Sequence, residues 1–127
     1  MPESQMFPWG AGPLEGGCRC GRVRFQLSAA PMMTMACHCT GCQRMTASAY
    51  SLSVMVPAEG FEVIEGETVV GGLREPPAHR FCRFCMSWMY TEPPGADWVV
   101  NVRATLLDDA SWSTPWMETY TSEALPW

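Results

Sequence analysis

The chain has 127 residues, enough for one domain with a real core and no more. Charged residues make up 17% and apolar ones 47%, and the net charge is −5 with an isoelectric point near 4.9. That balance excludes intrinsic disorder and argues against a broad phosphate-binding face, so no nucleic-acid partner is expected.

Residues 1–15 carry Pro and Gly without periodicity and read as an irregular N-terminal arm; a single domain is expected over 16–127. The arm lacks a basic segment followed by an apolar run, and no run in the chain is long enough to cross a bilayer. The expectation is a cytoplasmic protein with no membrane partner, in a compartment where thiols stay reduced. Val23 to Leu27 alternates apolar and polar, as a half-buried strand does. A turn or two of helix is expected around Thr40 to Arg44. Ala47 to Val54 alternates again and predicts a strand with Tyr50, Leu52 and Val54 on one face. Phe61–Ile64 and Thr68–Val70 predict short strands joined by a turn at Glu65-Gly66-Glu67. Pro-rich loops, "REPPAH" and "TEPPGAD", bracket Arg80 to Tyr90. "WVVNVRATL", from Trp98 to Leu106, is the longest strand candidate, with Trp98, Val100, Val102 and Leu106 on one face. The aromatic tail from Trp112 to Trp127 reads as a lid over the end of a sheet. The class is all-β, with short strands, long connections and the cysteines in the connections.

Seven cysteines stand out, and full disulfide pairing would leave one over. They form three groups: Cys18-x-Cys20, Cys37-x-Cys39-x-x-Cys42 and Cys82-x-x-Cys85. Thiolates at such spacing converge on a soft metal, and tetrahedral zinc suits them. The two pairs lie roughly sixty residues apart, and together they supply the four ligands of a closed, structural zinc. The triplet supplies three and leaves one position open, as catalytic zinc sites do. His38 lies between two of those ligands in an extended segment and should face away from the metal. A second structural zinc completed by His38 or by a distant residue, and a reactive thiol pair, stay open as alternatives. His79 reads as a structural residue ahead of the last cysteine pair.

Three motifs in order, "GGCRCGRVRF", "CHCTGCQRMTASAYS" and "HRFCRFCMSW", closely resemble the family of glutathione-dependent formaldehyde-activating enzymes, which also contains centromere protein V. The resemblance implies a β-tent fold, small antiparallel sheets pinned by two zinc ions. It implies Cys18, Cys20, Cys82 and Cys85 on the structural zinc, and Cys37, Cys39 and Cys42 on the zinc tied to activity. One departure is Met86, where the family usually has Gly after the last cysteine; a slightly altered knuckle is expected there.

A zinc-bound thiol such as glutathione would be held as thiolate, ready to add to a small aldehyde, and the reverse step is a carbon–sulfur lyase reaction. An added thiolate calls for nearby donors or positive charge. Gln43 and Arg44 directly after the triplet, with Ser48 and Tyr50 beyond, are the candidates for that thiol-substrate pocket. The alternative is a non-enzymatic zinc-stabilised binding module. A thiol or metal buffer is a third reading.

Overall fold

The computed structural model of the chain describes residues 13–73 and 76–127. Residues 1–12 of the expected arm, and Arg74 and Glu75 of the first Pro-rich loop, lie outside the described residues. Among the described residues there are ten strands and one α-helix: β1 (Leu14–Gly17), β2 (Arg24–Leu27), β3 (Met33–Cys37), α1 (Thr40–Thr46), β4 (Ser51–Pro57), β5 (Phe61–Glu65), β6 (Thr68–Gly71), β7 (Ala78–Cys82), β8 (Trp88–Glu92), β9 (Val99–Arg103) and β10 (Met117–Thr119). The all-β class is therefore the one the chain adopts.

The strands form two sheets. One is β1-β2-β5; the other has seven strands in the order β10-β3-β4-β9-β8-β7-β6. Every pairing is antiparallel except β10 on β3. The second sheet is thus larger than the resemblance suggested, and mixed. The aromatic tail supplies its edge strand, which corrects the reading of that tail as a mere lid.

Alternation sorts the seven-stranded sheet into two faces. Val54, Val56, Val100 and Val102 point one way and are at most 6% exposed. They meet Val23, Phe25 and Leu27 of the smaller sheet in one apolar core. Phe61 bridges the layers, 5.6 Å from the Phe25 ring and 4.7 Å from the Tyr90 ring. Gly16 is required at this seam, because a Cβ there would strike the Leu106 carbonyl and the Phe25 ring. The opposite face of the large sheet carries polar residues and the cysteine triplet.

Several boundaries differ from the sequence reading. Leu14 and Glu15 belong to β1, paired with Leu27 and Gln26, and not to an irregular arm. The helix runs to Thr46, and Ala47 closes it in a left-handed conformation (φ 53°), so β4 starts only at Ser51. Tyr50 precedes that strand and is 40% exposed. Trp98 is 60% exposed and precedes β9, whose first two residues, Val99 and Val100, are both buried.

Strands β7 and β8 are joined by the turn that holds the last cysteine pair. Cys82 N–H donates to Ser87 O (3.0 Å), and Met86 N–H donates to Cys82 O (3.0 Å). Met86 sits at φ 60°, the left-handed region that favours glycine. The turn closes normally, and the cost of the non-glycine residue falls on the backbone. Met86→Gly should therefore raise unfolding stability by about 1 kcal/mol, read by chemical denaturation of the metal-loaded protein; unchanged or lower stability would contradict the strain.

Candidate metal centre

Cys18 and Cys20 lie in the turn after β1, and Cys82 and Cys85 close the β7–β8 turn. Their four sulfurs lie within 4.8 Å of one another. Cys18 and Cys20 Sγ are 3.5 Å apart, and Cys20 and Cys82 Sγ 3.8 Å. A tetrahedron with bonds of about 2.3 Å has sulfurs about 3.8 Å apart, so the donor set fits a zinc-sized ion. Backbone amides support negative sulfur here: Val23 N–H donates to Cys18 Sγ, and Phe84 and Cys85 N–H both donate to Cys82 Sγ, each at 3.3 Å. Partial burial pushes the Cys85 thiol up, but hydrogen bonds from Ser87 lead the effects that bring it down to about 5.

The triplet is built locally. Cys37 ends β3, Cys39 caps the N-terminus of α1, and Cys42 lies in its first turn, donating its N–H to Cys39 Sγ (3.2 Å). The three sulfurs lie within 4.8 Å of one another, with no fourth Cys, His, Asp or Glu in the group among the described residues. His38 turns away: its Nε2 is 2.9 Å from Glu118 Oε1, and its backbone N–H donates to Thr119 O. The tail lashes this segment down. Glu123 Oε1 accepts from the Thr40 amide and hydroxyl, and Gln43 Nε2 donates to both His38 O and Glu123 O.

Charge at the triplet is uneven. Burial pushes the Cys42 thiol up to about 12, with Cys39 and Cys37 adding to it, while the Ser51 hydroxyl acts the other way. Burial also pushes Cys37 up, but the Thr119 hydroxyl and a backbone amide outweigh it, and its pKa is lowered. Three soft sulfurs that cannot all ionise side by side are suited to a cation among them.

A row of polar residues runs from the triplet across the outer face of the sheet. Strand register places Cys37 opposite Ser51, Ser53 opposite Arg103, Asn101 opposite Thr91, and Thr91 opposite His79. Arg103 is only 8% exposed. Its guanidinium lies 4.0 Å from the Trp88 ring centre and donates to Asn101 O (3.2 Å). Burial lowers its pKa to about 10, against the pull of Cys42 and Cys37, so it stays charged at neutral pH. His79 Nδ1 is 3.0 Å from Thr91 Oγ1, and burial and then the Arg103 charge lower its pKa, keeping it neutral. Arg103 Nε, Asn101 Oδ1 and Trp88 Nε1 are buried without hydrogen-bond partners.

Two cavities open on this face. One, of about 620 Å³, is lined by the three cysteines and by Arg44, His79, Trp88, Thr91 and Asn101. The other, of about 610 Å³, is lined by Ser48, Tyr50, Ser51, Trp88 and Arg103. The substrate-pocket candidates therefore separate. Arg44 is exposed at the wall of the cysteine cavity, whereas Ser48 and Tyr50 line the neighbouring one. Gln43 lines neither described cavity and serves instead as a strut between α1 and the tail. His79 is a wall residue and not simply a support for the late turn. Arg103 and Asn101 carried one visible signal, polar side chains in the otherwise apolar run Val99–Val102 and its end, but alternation alone assigned them to solvent.

The sequence model of the glutathione-dependent formaldehyde-activating enzyme family matches residues 13–123. Among solved structures, the crystal structure of a Rhodobacter sphaeroides protein is similar, with 21% identity, a TM-score of 0.57, and coverage of 74% of this chain and 87% of that one. That likeness shows the fold alone. No curated protein matches significantly.

The two clusters differ in what they connect. Cys82→Ser breaks a set that joins the ends of both sheets, and it should lower the unfolding midpoint by about 10 °C or more. Cys39→Ser, confined to one loop and helix, should leave the fold intact and lower only second-site metal content. Differential scanning calorimetry with elemental analysis checks this; equal thermal damage from both variants would make the triplet structural as well.

Proposed function

The chain belongs to the glutathione-dependent formaldehyde-activating enzyme family, and on that footing we propose that it is a zinc-dependent carbon–sulfur lyase-like enzyme. It would handle a thiol adduct, of glutathione type, of a small aldehyde at Cys37, Cys39 and Cys42. One observation carries the reading: three sulfurs converge without a fourth ligand among the described residues, and they line a cavity large enough for a small molecule. Two zinc ions per chain are proposed, the four-cysteine one structural and the three-cysteine one active. When bound there, zinc supplies the charge that keeps an incoming sulfur as thiolate at neutral pH.

The chain's own residues account for the rest. Three thiolates around a divalent ion leave one negative charge, and an added thiolate leaves two. Arg103, buried and electrostatically coupled to Cys37 and Cys42, offsets it. The Cys42 amide, bonded to Cys39 Sγ, holds the triplet in shape. Neutral His79, in the lining of the cysteine cavity, would take or return the proton of the adduct's hydroxyl. Such chemistry requires reduced thiols, consistent with a cytoplasmic setting. The rival reading, a binding module, draws on the exposed aromatics Trp116, Tyr120 and Trp127.

Cobalt substitution separates the two readings. Protein carrying two cobalt ions should show the ligand field of one ion change on adding glutathione while the other stays constant, and Cys42→Ala should abolish the change. A spectrum indifferent to glutathione and to other small thiols would favour the binding module.

A further inference from the structure

The cavity beside the triplet is large for an aldehyde of one carbon, at about 620 Å³. Among the described residues its walls are mainly apolar, which suits an apolar thiol better than a charged tripeptide. Met45 of α1, Leu73, Pro77, Trp88, Pro93 and Pro94 form most of them. Among the described residues the only permanently charged side chain in the lining is Arg44, which is exposed. Glutathione carries two carboxylates and an ammonium group, and groups of that kind are held by charge-assisted hydrogen bonds or left in water. Besides the cysteines and Arg44, the polar residues of the described lining are few: Thr91, Asn101, Tyr120 and His79, which burial keeps neutral.

We propose that this cavity takes an apolar thiol and its aldehyde adduct, an α-hydroxy thioether bearing an aryl or branched alkyl group, in preference to glutathione. The inference rests on the reading that the triplet accepts an external thiol, and it names the class of thiol. The sulfur sits at Cys37, Cys39 and Cys42. The adduct's single hydroxyl meets the polar part of the wall, formed by Thr91, His79 and Asn101. The organic group lies between Met45 and the Pro93-Pro94 loop, against the indole of Trp88. An apolar cavity with a few convergent polar atoms is the usual design for such a ligand. Met45 is the most telling wall residue, because its place in α1, three residues after Cys42, puts its flexible thioether within the lining.

The probes are benzyl mercaptan and glutathione, titrated anaerobically into the full chain carrying two cobalt ions, with the ligand-field spectrum and the heat of binding read together. Both thiols should perturb one metal, and benzyl mercaptan should half-saturate it at a concentration at least about tenfold lower. Met45→Glu should remove most of that advantage while leaving glutathione within about twofold of its original affinity. Glutathione binding as tight as benzyl mercaptan, or tighter, overturns the inference, and so does an advantage that survives a folded Met45→Glu. The comparison on the unmutated chain decides the matter if that variant fails to fold. A metal that answers neither thiol overturns the underlying reading instead, and the inference with it.

Discussion

Three sulfurs held within 4.8 Å of one another cannot all carry charge unless cations stand beside them. The structure around the triplet follows from that constraint. Arg103 is placed on the outer face of β9, buried to 8% exposure, with Trp88 stacked against its guanidinium. A buried cation without counter-charge would be strongly destabilising. Cys42 and Cys37 oppose the burial that lowers the Arg103 pKa, so the arginine supports negative charge on the sulfurs and they support its positive charge. The short helix α1 and its N-cap then present Cys42 and Cys39 to the same point that β3 presents Cys37.

Two anchors keep that point in place. The four-cysteine set brings the turn after β1 and the β7–β8 turn together, and a metal held there would join the small sheet to the large one. The tail supplies the other anchor. Strand β10 pairs with β3 up to Thr119 opposite Cys37, and Glu123 takes up the free amide and hydroxyl at the start of α1. A chain segment that looked peripheral thus fixes the loop that bears the ligands. It also brings Tyr120 into the wall of the cavity.

What the sequence made legible was local. Cysteines that share one ion must lie a few residues apart or in matched pairs, so the three groups and their four-plus-three division could be read directly. His38 followed from extended geometry between two ligands. The polar row could not be read that way, because it is assembled by pairing across β3, β4, β9, β8 and β7. Asn101 and Arg103 alternate with valines and look solvent-facing until the outer face of the sheet is known to be covered. Gln43 was misjudged by helical phase. One residue beyond Cys42 it points about 100° away, toward the tail. Strands β7 and β8 were hidden by Pro-rich loops and by the bulge at Met89, which breaks the alternation.

The proposed function requires that one of two metal positions be held by three protein sulfurs and completed by an external one. Zinc K-edge X-ray absorption measures the sulfur count directly. Fully loaded protein without added thiol should average three and a half sulfurs per zinc, with the balance from a lighter atom, since one cluster offers four and the other three. With saturating thiol the average should rise to four. An average already at four without thiol, or one that stays at three and a half when thiol saturates the protein, would rule out an open three-sulfur position.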